Sequence, residues 1–494
     1  MHRNLLANLA GTGWTAVLSL LLVPVYVRLL GIEAYGVVGF FTTLQAVLWL
    51  LDLGLSTSLN RQIAVLSANE SSGPEIRNLV RTVATVYWVI AFVLATIVIV
   101  AAPAIAERWL RPDRLSAASL VEAIRLMGAV TVLQFPFSIY AGGLLGLQKH
   151  VPLNVVVITM TSLRAAATVG SLIWIHPSLQ VFFLAQLSAW CLQTIWTRST
   201  LYRSIPPPFT KPTFRPDMLR SIGRFAAGLT AITAIGAVLM QIDKIIVSRM
   251  VGLEKFGYYA LASTLAAGLS ALANPFFAAT FPKMSQAVAR GDSEELAEIY
   301  HRMTQLLGCV IFPLGAVLAV FPKEVLLIWT RDPVIASSSS RILAILALGF
   351  SAHALLHMPY ALQLSHRWTG LSLTLGSCAL LLVIPATVWA SQRYGAIGAA
   401  AVWLALNVVY LVLGVTLTHR RILPGQQSRW YIHDLGVPAS ASVSVVVVGK
   451  LILSSVESSQ ALIIGVVIVL AVAAAVLATP ASRQLVTEIR WRRS

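Results

Sequence analysis

Charged residues are scarce in this chain: 11% of 494 positions, where soluble domains carry roughly a quarter. That shortage excludes an ordinary water-soluble globule. Acidic residues are scarcer still, 19 Asp and Glu against 36 Lys and Arg, leaving a net charge of +17. Little of the chain is solvated, so this excess is no nucleic-acid face. Only three cysteines are present, Cys191, Cys309 and Cys378. They lie far apart in apolar runs, which excludes a disulfide framework or a cysteine metal site and leaves them as small core hydrophobes. A phosphate loop is missing too, since Gly449-Lys450 is followed by Leu451, and Ser444 stands where a Gly is needed. Direct ATP hydrolysis is thereby excluded. No hydrophilic stretch is long enough to fold into a domain that would hold a carboxylate base, so the chain reads as a non-enzyme with no cofactor and no catalytic residue.

What fills the chain instead is hydrocarbon: 57% hydrophobic residues and a mean hydropathy of +0.80. A membrane-crossing helix needs about 20 mostly apolar residues, and about fourteen such runs occur. They lie near 9–30, 37–60, 79–104, 119–147, 151–175, 178–202, 221–250, 257–281, 302–329, 338–364, 368–391, 396–418, 435–455 and 460–479. The expected fold is an all-α polytopic membrane protein. Most Lys and Arg fall at the amino terminus, the even-to-odd connections and the tail carrying Arg490, Arg492 and Arg493. By the positive-inside rule both termini are expected in the cytoplasm. Ile205 to Asp217, stiffened by five prolines, reads as a cytoplasmic linker. The stretch Arg290 to Ile299, with Asp292 or Ser293 as cap, reads as a short surface helix. Asn69-Glu-Ser71 matches a glycosylation sequon but falls on the expected cytoplasmic face.

The chain repeats itself. Arg28-Leu-Leu-Gly31-Ile-Glu33-Ala-Tyr35-Gly36, ending the first run, returns as Arg249-Met-Val-Gly252-Leu-Glu254-Lys-Phe256-Gly257, ending the seventh, at a constant offset of 221. Both copies follow an odd-numbered span, so the repeat is parallel about an axis along the membrane normal, an arrangement that suits alternating access around a cavity. The domains follow: a first lobe over 1–204, the linker 205–217, a second lobe over 218–419, two extra spans over 420–480 and a basic tail over 481–494.

Ionisable groups inside hydrocarbon are costly and are functional candidates. In the fifth span Asn154, Thr161, Arg164, Thr168 and Ser171 share one helical face, with Arg164 near mid-bilayer. This suggests either a wet lumen or a structural Arg with a fixed partner. The second span carries Thr42, Gln45, Trp49, Asp52, Ser56 and Asn60 on one face. Asp52 is expected to pair with Arg164 or another cation, or to titrate in ion coupling. Asn8, Thr12, Thr15, Ser19 and Tyr26 line one face of span one, and Thr230, Thr233, Gln241, Lys244 and Ser248 one face of span seven. Asp243 points about 100° from Lys244, so no simple side-by-side pair is implied. Arg28 and Arg249 are repeat mates at span ends, either snorkelling to headgroups or facing cargo. His353 and His357 lie one turn apart without an evident third ligand, so a packed pair is expected and no metal site. Pro24, Pro136, Pro275, Pro313, Pro359 and Pro385 fall inside spans and are expected to kink them.

The turn Arg28-x-x-Gly31-x-Glu33-x-Tyr35-Gly36, the stretch from Leu51-Asp52 to Asn60-Arg61, Tyr140 to Lys149, and Tyr394-Gly395-Ala-Ile-Gly398 together resemble the polysaccharide transporter branch of the multidrug/oligosaccharidyl-lipid/polysaccharide (MOP) exporter superfamily, the Wzx-type flippases. The resemblance covers nearly the whole chain. It implies two six-helix lobes around a cationic lumen, two further helices, and movement of an undecaprenyl-diphosphate-linked oligosaccharide from the cytoplasmic to the periplasmic leaflet of the bacterial inner membrane for O-antigen, capsule or exopolysaccharide synthesis. It also implies membrane lipids, a polysaccharide polymerase and a chain-length regulator as partners. Arg164, Lys244, Arg28 and Arg249 are the candidates for diphosphate or acidic-sugar contact, with Asn154, Gln241 and Gln45 as polar lining and Asp52 and Asp243 as pairing or coupling residues. A cation-coupled drug exporter, a lipid II flippase and a membrane enzyme of polysaccharide assembly are the alternatives. The first is supported only by Asp52 and Asp243.

Overall fold

The computed structural model describes residues 2–52, 54–68, 72–206, 213–453 and 460–481. The basic tail, the sequon and the centre of the proline-rich linker lie outside the described residues, as do the side chains of Thr230 and Thr233. The described chain is helical throughout, with no strand, and divides into two compact units, 1–257 and 258–494.

The first unit contains α1 (His2–Leu30), α2 (Ile32–Trp49), α3 (Leu55–Leu66), α4 (Gly73–Ala104), α5 (Ala117–Gln134), α6 (Phe137–Gly146), α7 (His150–Trp174), α8 (Leu179–Ser204), α9 (Pro216–Met250) and the first turn of α10 (Leu253–Arg290). The second holds the rest of α10, then α11 (Ser293–Val320), α12 (Pro322–Thr330), α13 (Pro333–Leu355), α14 (His357–Ser365), α15 (Gly370–Val409), α16 (Val415–Ile422), α17 (Gln427–Arg429), α18 (Val437–Leu453) and α19 (Gln460–Ala478). Among the described residues, 12 helical segments are long and apolar enough to cross a bilayer. One of them, 370–422, is two expected spans joined at Gly395, whose φ of 60° breaks the helix and favours glycine. Helix α9 occupies the place of the seventh expected run. The helical spans thus follow the order read from hydropathy.

Local signals fix many boundaries. Ser116 accepts from Ser119 N–H, Ser178 from Val181 N–H, and Asp332 from Val334 and Ile335 N–H, each satisfying first-turn donors that have no helical partner. Asp292 caps Glu295 in the same way, but the helix it starts is no separate surface piece. It continues unbroken into a membrane span, because the apolar residues that follow extend the same 3.6-residue pattern.

The repeat is visible in the backbone. Span four breaks at Phe135-Pro136 between α5 and α6; span ten breaks at Leu356 between α13 and α14, again 221 positions later. Each second half-helix ends in the same cap. Gln148 and Arg367 are left-handed, with φ of 57° and 54°, while Lys149 N–H donates to Leu144 O at 2.8 Å and Trp368 N–H to Gln363 O at 3.0 Å. The repeated turns also meet within the first unit. A Cβ on Gly36 would stand 2.6 Å from Leu253 O, and one on Gly257 would strike Ile32 O, so only glycine admits this crossing of α2 and α10.

The core of the first unit gathers Leu59, Leu79, Tyr87, Phe135 and Ile139; that of the second gathers Leu296, Tyr300, Leu307, Met358 and Trp430. Large apolar side chains such as Val100, Trp174, Leu382 and Leu470 point outward. Water would penalise such a surface, whereas lipid solvates it.

Candidate functional site

Arg164 lies half-buried on α7, where the 7-3-4-3 spacing of polar residues keeps one face free of bulk. Its guanidinium rests 4.6 Å from the Trp190 ring centroid of α8, and Nη1 donates a long 3.5 Å hydrogen bond to Gln193 Oε1. Tyr26 of α1, edge-on to Phe182 at 5.2 Å, completes the surroundings. Among the described residues no carboxylate reaches Arg164 within ion-pair distance. The aromatic face holds the cation by its quadrupole, worth about 0.5–2 kcal/mol, and leaves most of the donor fork uncommitted. A planar fork of this kind matches paired phosphate or carboxylate oxygens.

The polar faces of α1 and α7 turn toward each other. Asn154 Nδ2 donates to Asn8 Oδ1 at 2.7 Å and to His150 O at 2.9 Å, while Trp14 Nε1 donates to Ser162 Oγ at 2.9 Å. Part of the stripe is therefore consumed in helix packing. The remainder opens into a groove of about 610 Å³ lined by Asn8, Thr12, Thr15, Ser19, Asn154 and Phe137, among others.

Asp52 does not meet Arg164. The helix of span two stops at Trp49 and resumes at Leu55 beyond the left-handed Gly54, φ 71°. That break turns the Asp52 carboxylate toward hydroxyls: it accepts from Tyr87 Oη, from Ser56 Oγ at 2.8 Å and from Ser138 Oγ at 3.5 Å. Gln45, one helical turn before the end of α2, donates to Gln134, the last residue of α5 before the break of span four. Two interrupted helices thus lie side by side with their polar residues joined.

The other candidates stand in separate surroundings. Lys244 Nζ donates to Met240 O at 3.0 Å and reaches Asp243 Oδ1 at 3.4 Å, with Asp243 buried. The pair forms despite the 100° separation because the four-carbon lysine stem can fold back along the helix. Arg249 is exposed at the end of α9 and stacks on Trp109 at 5.1 Å, whose Nε1 donates to Ser248. Arg28 is exposed at the end of α1 and Gln241 is half-buried on α9. No contact among the described residues joins these four to Arg164. His353 meets Ser270 Oγ at 3.0 Å and His357 Nδ1 meets Ala354 O at 3.0 Å, with the two rings edge-on at 5.5 Å.

Two arrangements carry no local signal of their role. Glu33, in the repeated turn, is buried and accepts from the backbone N–H groups of Asp113, Arg114 and Leu115 at 2.7, 3.0 and 3.3 Å. Its recurrence as Glu254 is the one feature that marks it. In the second unit His301 and Asp434, both fully buried, bond each other, and Gln305 Nε2 donates to Asp434 Oδ1 at 2.8 Å. This fastens α11 to the turn before α18.

Known proteins share this architecture. The family described as Polysaccharide biosynthesis protein matches residues 1–288, and the MatE family matches 230–389. A Shigella flexneri protein named "Putative O-antigen transporter" is 21% identical over 407 residues, covering 81% of this chain and 93% of its own. The lipid II flippase MurJ in an inward closed conformation superposes with a TM-score of 0.73 at 12% identity, covering 97% of this chain and 98% of its own. An inward-facing multidrug resistance MATE family transporter of the MOP superfamily gives 0.69 at 15% identity, covering 82% and 94%. These relatives are named as transporters and flippases, and among the described residues this chain has 12 helical segments long and apolar enough to cross a membrane. The chain belongs to the family described as Polysaccharide biosynthesis protein.

Proposed function

We propose that this transporter turns an undecaprenyl-diphosphate-linked oligosaccharide repeat unit from the cytoplasmic to the periplasmic leaflet of a bacterial inner membrane, by alternating access, for O-antigen, capsule or exopolysaccharide synthesis. Both termini face the cytoplasm in this reading, the lobes divide at the 205–217 linker, and polymerase and chain-length regulator receive the cargo. A diphosphate cannot cross hydrocarbon unaided, because each unsatisfied polar group costs several kcal/mol there and each charge more.

The observation that carries the reading is an imbalance of commitments. Buried Glu33 is clamped by backbone amides, Asp434 by His301 and Gln305, and Asp243 has Lys244 beside it. The more open Asp52 is engaged by hydroxyls. Arg164, by contrast, meets only an aromatic ring and one long hydrogen bond to a neutral amide, and an anion is what would complete it. A cation-coupled drug exporter calls for the reverse, a carboxylate left open. Lys244, Arg249 and Arg28 are auxiliary cations in this reading, with Gln45, Gln241 and Asn154 as neutral lining.

The test is surface polysaccharide in a strain whose chromosomal copy carries Arg164→Ala, at matched protein level in the membrane. Loss of surface polymer with lipid-linked repeat unit retained inside supports the reading; normal polymer would sink it.

A further inference from the structure

Three guanidiniums gather around one tyrosine where α4 begins and α8 ends. Arg77, half-buried on α4, donates from Nε to Pro206 O at 2.8 Å and from Nη2 to Tyr202 O at 2.9 Å and Ile205 O at 2.7 Å. It thereby satisfies carbonyls that the end of α8 leaves without helical partners, and it holds the two helix ends at one level. Its Cζ stands 5.6 Å from the Tyr202 ring centroid, and the Cζ of Arg198, one turn earlier on α8, 5.7 Å from the same ring. Arg81, one turn further along α4, is close enough to act on Tyr202 electrostatically. Arg77 is spent on backbone. Arg81 and Arg198 are exposed, and among the described residues neither guanidinium has a hydrogen-bond partner or a carboxylate within ion-pair distance, nor does the Tyr202 hydroxyl have a hydrogen-bond partner. Deeper along both helices the surface turns apolar, with Val89, Phe92 and Val93 of α4 and Leu192, Ile195 and Trp196 of α8 facing outward. Val89 lies eight residues past Arg81 and Leu192 six before Arg198, about 12 and 9 Å further in. The arginines therefore cap a lipid-facing surface at its polar end, on the leaflet that is cytoplasmic in the proposed topology.

We propose that Arg81, Arg198 and Tyr202 bind the phosphate of an anionic phospholipid of the cytoplasmic leaflet, with its acyl chains against the outward apolar residues of α4 and α8. Three positive charges this close repel one another, and an anion held among them turns that cost into attraction. Each free guanidinium offers paired N–H donors to phosphate oxygens, and the tyrosine hydroxyl offers one more. Basic sites between membrane helices on the cytoplasmic side suit such headgroups. A zwitterionic headgroup carries its own cation and brings no net charge to the site. The bound lipid braces α4 against α8 through the same ring that Arg77 approaches from the other helix. Nothing in this site depends on which cargo the chain carries.

The experiment titrates the purified full-length protein in detergent with phosphatidylglycerol, phosphatidylcholine or inorganic phosphate. Bound lipid is counted by native mass spectrometry, and the unfolding temperature is read in parallel. Phosphatidylglycerol should bind and raise the unfolding midpoint by about 2–4 °C, whereas the other two should not. Arg81→Gln combined with Arg198→Gln should weaken phosphatidylglycerol binding about twentyfold, roughly fivefold for each arginine beside an anionic headgroup. Tyr202→Phe keeps the ring, loses the hydroxyl and should weaken binding severalfold. Arg420→Gln combined with Arg421→Gln removes the same charge at the exposed end of α16 and should leave binding unchanged. Arg198→Gln alone keeps the test valid should the double variant fail to fold. Parental affinity in Arg198→Gln or in the double variant overturns the proposal, as does equal binding of phosphatidylcholine. A loss in the α16 variant as deep as in the α4–α8 variant overturns it too, since net charge alone would then account for the binding. An equal rise in unfolding temperature with inorganic phosphate overturns the lipid assignment in favour of a free-phosphate site.

Discussion

Two charged groups, Arg164 in the first unit and Asp434 in the second, are held in opposite ways. Arg164 rests on an aromatic ring, and among the described residues no carboxylate reaches it. Asp434 is entirely enclosed, and both of its oxygens are engaged by side chains of α11. The repeated helices share a backbone plan, down to breaks 221 positions apart, whereas Asp434 enters on the segment that leads into α18, beyond the repeat. An uncommitted buried charge is poised for a ligand; a committed one is a rivet.

Four substitutions can break this contrast. Asp434→Ala should have the largest effect, about 3–5 kcal/mol of stability, because it strands His301 in the core. Thermal unfolding of the purified protein would report it, and an unchanged melting point with lost transport would reverse the assignment. Arg164→Gln should do the opposite, leaving the melting temperature nearly unmoved while cargo export falls roughly ten- to hundredfold, the equivalent of a lost charged hydrogen bond. Gly257→Val should cost about 1–3 kcal/mol by forcing backbone apart at the α2–α10 crossing, read as earlier unfolding and lower membrane yield. Arg249→Gln should be the mildest, about 0.5–1 kcal/mol, the scale of an exposed cation on Trp109; a transport loss as deep as that of Arg164→Gln would place Arg249 in the cargo path after all.

Much of this was legible from the residues. Spans, order and repeat follow from hydropathy and the recurrent Gly-x-Glu-x-aromatic-Gly turn, because bilayer thickness imposes segment length. The polar stripes of α1 and α7 follow from spacing. That they face each other does not, since periodicity fixes a face and not its neighbour. Asp52 departs from the face read for span two because α2 ends at Trp49 and residues 50–52 tighten into a 3-10 turn, which takes Asp52 out of the helical register of Gln45. The His301–Asp434 contact joins positions 133 residues apart, both at the edges of apolar runs where polar residues are expected anyway, so nothing local singles them out. Lys244 and Asp243 show the limit of helical-wheel geometry for a side chain long enough to bend around its own helix.

The breaks in spans four and ten set up a pair of levers. Helix α6 has 10 residues and α14 has 9, arms of roughly 15 and 14 Å at 1.5 Å per residue. A tilt of about 10° at either joint displaces the free end by roughly 2.5 Å, about half a helical turn. Matched arms at matched positions mean that equal angular changes give nearly equal strokes in the two units.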